Sequence, residues 1–191
     1  MNKGRLEAFS DGVLAIIITI MVLELKVPAG DGLDALRPLK SAFFAYVLSF
    51  AYVGIYWNNH HHLFQTVKQV NGAIMWANLH LLFWLSLLPV VTGWAGENPR
   101  AAWPSAVYGV ILLVAALSYL VLQRTIIRHG GGALAQMIGA DLKGRLSPLL
   151  YLSGVGLSFV RPWLAELAYA LVAAIWLVPD QRIERALAAR G

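Results

Sequence analysis

Cysteine is absent from the 191 residues, so neither a disulfide framework nor a thiolate metal site can be built. Charge is scarce. Asp, Glu, Lys and Arg make up 13% of the chain, against 59% for apolar residues. Roughly a quarter of an ordinary soluble domain is charged, and the mean hydropathy of +0.64 departs in the same direction. Enzyme motifs are missing too: there is no Walker A loop, no Gly-x-Ser-x-Gly elbow and no His-Glu-x-x-His pattern. The triplet Gly130-Gly131-Gly132 follows no strand and reads as a hinge or linker in a long inner loop over 128–145. No Thr-Val-Gly-Tyr-Gly filter, no ring-forming carboxylate inside a span and no internal repeat is found.

What the chain has is apolar blocks close to the roughly 20 residues that cross a hydrocarbon core of about 30 Å. They fall at about 6–26, 40–66, 70–94, 102–127, 146–160 and 163–178, with a tight corner at Arg161-Pro162. The expected fold class is an all-α integral membrane protein, one domain of six transmembrane helices over 1–191. The net charge of +5 then speaks for topology rather than nucleic acid, since basic residues collect in cytoplasmic loops. With both termini inside, Lys3, Arg5, Lys68, Arg124, Arg128, Lys143, Arg145, Arg182, Arg185 and Arg190 are inner. Lys26, Arg37, Lys40, Arg100 and Arg161 are outer, so ten face five. A cleaved leader ending near Val27-Pro28-Ala29 is the competing reading; Glu7, Asp11, Glu24 and Lys26 count against it. The connection at 27–39, rich in Pro, Gly and acid, is an outer loop with room for a short helix. Trp94, Trp103, Trp163 and Trp176 lie near span ends, where such rings suit the headgroup layer. Gly154 with Ser158, and Ala170 with Ala174, are small pairs that let helices approach closely.

Polar residues within the spans carry whatever chemistry there is. Ser10 or Asp11 has the composition of a helix cap. Buried, Arg5 and Asp11 need partners on other helices, because charges within a membrane are costly unless paired. Six residues apart, they do not share the three-or-four spacing of helix neighbours. Trp57 and His60 share a face of the second span and can reach the first, whereas adjacent His60, His61 and His62 diverge and cannot converge on one metal. His61 and His62 read as interfacial; Asn78 and His80 add polarity to the third span, Asn78 as a bond across helices. In the first span Ile16, Thr19 and Leu23 lie at i, i+3 and i+7, about 10 Å end to end. Such a stripe is ordinary lipid-facing helix, with Thr19 bonded to its own backbone, or it lines a narrow pore. One helix cannot enclose a pore, so a pore requires several copies around an axis.

Three stretches carry a resemblance. Arg5-x-x-x-Phe9-Ser10-Asp11, Trp57-x-x-His60-x-x-Leu63-Phe64-Gln65, and Asn78-Leu79 followed by Leu88-Pro89 resemble bacterial relatives of the endolysosomal potassium channel, the transmembrane-protein-175 family. The likeness covers roughly residues 5–94; the later spans match in number and hydrophobicity. It implies a homotetramer of six-helix subunits in a bacterial inner membrane, with the first helix lining the pore. It places the constriction on Ile16, ion preference on Thr19, a second hydrophobic level on Leu23 and an intermediate one on Ile20. It also joins Arg5, Phe9, Ser10, Asp11, Trp57, His60 and Asn78 in a structural polar network. No cofactor or bound metal is implied, only K+ and other monovalent cations as permeating ions, with lipid and other copies of the chain as partners. Two other readings stand beside it: a proton-coupled transporter using Asp11 and His60, expected to show inverted repeats and broken helices that the sequence does not display, and a membrane metal protein built on the histidines.

Overall fold

The computed structural model describes residues 2–129 and 142–177, and every regular element in them is helical. In chain order these are α1 (Lys3–Leu23), a short 3-10 helix (Leu33–Leu39), α2 (Lys40–Gln65), α3 (Gly72–Leu85), α4 (Leu88–Glu97), α5 (Ala102–Arg128), α6 (Leu142–Ser158) and α7 (Pro162–Leu177). The linker expected at Gly130-Gly131-Gly132, and Arg182, Arg185 and Arg190 of the charge count, lie outside the described residues.

The helix starts follow from local chemistry. Asn2 caps α1 by accepting a hydrogen bond from the Gly4 N–H at 3.0 Å, and Asn71 caps α3 by accepting from the Ile74 N–H at 2.9 Å. Such side chains satisfy backbone donors that the first turn leaves free. Ser10 and Asp11 are therefore not caps: the helix begins at Lys3, placing both about two turns inside it. α7 starts at Pro162, where a missing N–H costs nothing, and the corner before it closes with the Arg161 N–H on the Leu157 carbonyl at 2.8 Å.

The third span differs from the continuous helix expected. It bends at Ser86-Leu87 into α3 and α4, together 26 residues from Gly72 to Glu97. Pro89 explains the break: it brings no N–H for the carbonyl four residues back. Ser86 bonds the Phe83 carbonyl through its hydroxyl at 2.7 Å. The broken helix named as a transporter trait is thus present once, as a proline bend.

Four helical stretches are long and apolar enough to cross a membrane, with α6 and α7 as shorter apolar helices beside them. α1 packs on α2, α3 and α4, while α5, α6 and α7 form a second group joined to the first through α2, α3 and α4. Leu6, Leu14, Ile17 and Met21 of α1 meet Leu81, Leu85 and Leu88 in the resulting core. In lipid this packing rests on close fit and interhelical bonds rather than on escape from water.

Close fit is most demanding around Tyr169. Its hydroxyl donates to the Ser105 carbonyl, its ring is walled by Gly154, and its carbonyl accepts from the Tyr52 hydroxyl at 2.5 Å. A Cβ on Gly109 would sit 2.0 Å from the Tyr169 oxygen and one on Gly154 2.3 Å from the ring. Gly109→Ala is expected to destabilise the detergent-solubilised protein by about 1–3 kcal/mol, the usual cost of overpacking. Thermal unfolding followed by size exclusion reads this, and Tyr169→Phe in the same chain should restore part of the loss. The Gly154–Ser158 pair therefore serves a helix contact. Ala170 and Ala174 instead remain exposed.

Candidate functional site

α1 has two unlike faces. Leu6, Ser10, Leu14, Ile17 and Met21 are buried, a run of four- and three-residue steps that keeps one stripe against the core. At about 100° per residue, Ile16, Ile20 and Leu23 turn away from that stripe. Ile16 is 59% exposed and Leu23 77%, against 2% for Leu14. Thr19 is exposed among them, with its hydroxyl on its own helix at the Ala15 carbonyl, 2.8 Å away. Phe9 and Arg5 also lie on exposed positions.

Two polar clusters hold this helix at different heights. Near its start the Ser10 hydroxyl donates to the Leu6 carbonyl at 2.9 Å and accepts from the Asn78 amide at 2.9 Å. The Asn78 side-chain oxygen in turn accepts from Nε2 of His60 at 2.7 Å, so this imidazole carries its proton on Nε2. The His60 ring lies stacked 4.4 Å from Phe64. Ser10, His60 and Asn78 are all buried, and α1, α2 and α3 each supply one of them. Beside this chain, Trp57 Nε1 donates to a carboxylate oxygen of Asp11 at 3.1 Å. Eleven residues further along α1, roughly 16 Å at the helical rise, Met21 meets the second cluster. There Ser49 bonds Thr92 at 2.7 Å and Tyr108 at 2.9 Å, with the Thr92 hydroxyl 4.0 Å from the Met21 sulfur.

Of the residues singled out in the sequence, Ser10, His60 and Asn78 are brought together, and Asp11 and Trp57 are paired. Arg5 and Phe9 join neither group; the ion pairs among the described residues are Lys26–Glu97 at 2.6 Å and Arg37–Asp34 at 3.0 Å. Asp11 and His60 share no hydrogen bond, so the relay imagined for a transporter has no direct link. The adjacent histidines diverge: His61 accepts from Gln65 at 2.9 Å, and His62 keeps a buried Nδ1 without a partner. His80 accepts from Trp84 at 3.0 Å on its own helix. Among the described residues no three His, Cys, Asp or Glu gather as a metal site. The Ser49–Thr92–Tyr108 cluster was not foreseen. A lone hydroxyl in an apolar run usually bonds its own helix, as Thr19 does, so spacing gives no sign of a bond between helices.

Fold and site together define the class: a multispan helical membrane protein whose first helix is pinned on one face and bare on the other. The family model described as endosomal/lysosomal potassium channel TMEM175 matches residues 5–89. A protein of Chryseobacterium sp. (strain P1-3) named as a potassium channel is 57% identical over 98% of each chain. Another so named, from Streptomyces collinus, is 36% identical over 91% of each. A crystal structure titled as a lysosomal potassium-selective channel TMEM175 homolog from Chamaesiphon minutus superposes with a TM-score of 0.79 at 32% identity, covering 92% of this chain and 96% of that one. The chain belongs to the TMEM175 family, whose members are ion channels and not enzymes.

Proposed function

We propose that this chain is a potassium-permeable channel, assembled as a homotetramer around α1 in a bacterial inner membrane, with both termini in the cytoplasm. The observation that carries the reading is the bare face of α1, where Ile16, Ile20 and Leu23 stand exposed on a helix held firmly from behind. Around a four-fold axis that face makes successive alkyl rings, with the Thr19 hydroxyls between them. Hydrophobic rings gate by excluding water, and hydroxyls replace part of an ion's hydration shell. An alkyl constriction offers no cage of oxygens, so modest preference for potassium over sodium is expected. The two bacterial relatives described above are named as potassium channels, which supports the choice of ion. Among the described residues Arg5 and Asp11 have no ion pair, and Asp11 accepts only from Trp57, which leaves both charges for a neighbouring copy. No bound cofactor enters this reading.

The lack of native cysteine makes the test clean. Purified Leu23→Cys protein should have the mass of four subunits, form disulfide-linked dimers on oxidation and lose liposome potassium flux to a cationic thiol reagent. Leu14→Cys, on the buried face, should do neither of the last two. A single-subunit mass, or Leu23→Cys flux indifferent to the reagent, rules the assembly out.

A further inference from the structure

A second feature lies away from α1, between α2 and α7. A groove of about 570 Å³ runs there, lined by Phe44, Leu48, Trp163, Ala170 and Ala174, with Glu166 among its walls. Its volume lies within the roughly 300–1,000 Å³ of ordinary ligand sites. Trp163 and Leu177, at its two extremes along α7, are fourteen residues apart, about 21 Å at 1.5 Å per residue. That exceeds half of a hydrocarbon core of about 30 Å, enough for an acyl chain to lie along it within one leaflet. The groove stays open because Ala170 and Ala174 present only methyl groups where larger side chains would fill it.

Glu166 gives the groove a chemical sense. It stands one turn inside α7, next to the exposed ring of Trp163. Among the described residues its carboxylate has neither an ion pair nor a hydrogen bond. A charge within a span is costly without a partner, so the site calls for a cation that arrives with its own hydrocarbon. The chain's basic residues at this end, Lys26, Arg37, Lys40, Arg100 and Arg161, stand in loops, in the short 3-10 helix or at a helix start. Two of them are already committed to Glu97 and Asp34. A phospholipid brings both parts at once.

We infer that the α2–α7 groove is a lipid site that selects a primary-ammonium headgroup, the ammonium bonding the Glu166 carboxylate and one acyl chain lying over Ala170 and Ala174. A primary ammonium donates hydrogen bonds to a carboxylate; a trimethylammonium has no N–H to donate. No residue of α1 lines the groove, so the site stands or falls separately from the pore. The test uses the full-length protein in detergent, offered dioleoyl phosphatidylethanolamine or dioleoyl phosphatidylcholine and read by native mass spectrometry. The wild type should retain the ethanolamine lipid severalfold better. Glu166→Gln should erase that preference while melting at the wild-type temperature in phosphatidylcholine, and Ala174→Leu should weaken retention of both lipids. Equal retention of the two lipids by the wild type overturns the inference, as does a preference that survives in Glu166→Gln. Efficient disulfide linking of copies through Ala174→Cys would give the groove to a second copy instead and overturn it equally.

Discussion

Liposomes carrying Ile16→Ser protein are expected to pass potassium at least about tenfold faster than wild type, and to distinguish potassium from sodium less well. Tenfold in rate corresponds to about 1.4 kcal/mol off the barrier. Removing one isoleucine side chain from water is worth about 1.5–3 kcal/mol, and four copies of the residue meet at one level in the proposed pore. Even a fraction of that difference, realised as easier wetting of the constriction, reaches the expected gain. Leu23→Ser should act in the same direction, because it removes a second alkyl ring about 10 Å away along α1.

The control is Leu14→Ser. It lies two residues from Ile16 and is 2% exposed on the face that packs against the subunit. Serine there loses core contacts and should lower the unfolding temperature without raising flux. Flux unchanged in both Ile16→Ser and Leu23→Ser, with the protein folded and inserted, would remove α1 from the conduction path.

The stripe on α1 shows how far a sequence of this kind can be read. Length and hydropathy sufficed for six apolar helical stretches, with ends within a few residues of the observed helices. They missed the bend at Ser86-Leu87 because proline is common enough in membrane helices for Leu88-Pro89 to read as part of one continuous run. Which face of α1 is buried was not legible from hydropathy, since Ile16 and Ile17 are the same residue type. One is exposed and the other buried only because Ser10, Asn78 and the leucines of α3 set the helix's rotation. The register of Ile16, Thr19 and Leu23 came from the motif ending at Asp11, not from periodicity. Asp11 itself looked like a cap, and only the structure places the helix start at Asn2. The Ala170–Ala174 pair looked like a helix contact, for small residues mark contacts and open grooves alike; what stands opposite decides, and the sequence does not name it.

Asn78→Leu is expected to cost about 2–6 kcal/mol of stability and to abolish or derange conduction. The residue joins three helices with two bonds, one from its amide to Ser10 of α1 and one from His60 of α2 to its oxygen. Bonds between membrane helices average about 0.6 kcal/mol and reach about 1.7, so their direct loss accounts for one to three. The remainder comes from what is left behind. Ser10 still has the Leu6 carbonyl, but the His60 N–H is stranded in a buried site. An unsatisfied buried donor costs about 1–3 kcal/mol. That asymmetry makes the prediction specific: replacing both partners, as in His60→Phe with Asn78→Leu, should recover much of the stability, because no donor is then orphaned. Conduction should not return with it. The rotation of α1 depends on the bond between Ser10 and Asn78, which the double variant still lacks, so Ile16 and Leu23 lose their common facing. Unfolding temperature and liposome flux, measured on the same three preparations, separate the two roles. If flux recovers together with stability, Asn78 only fills space between the helices. If neither changes in Asn78→Leu, the polar chain does not set the position of α1.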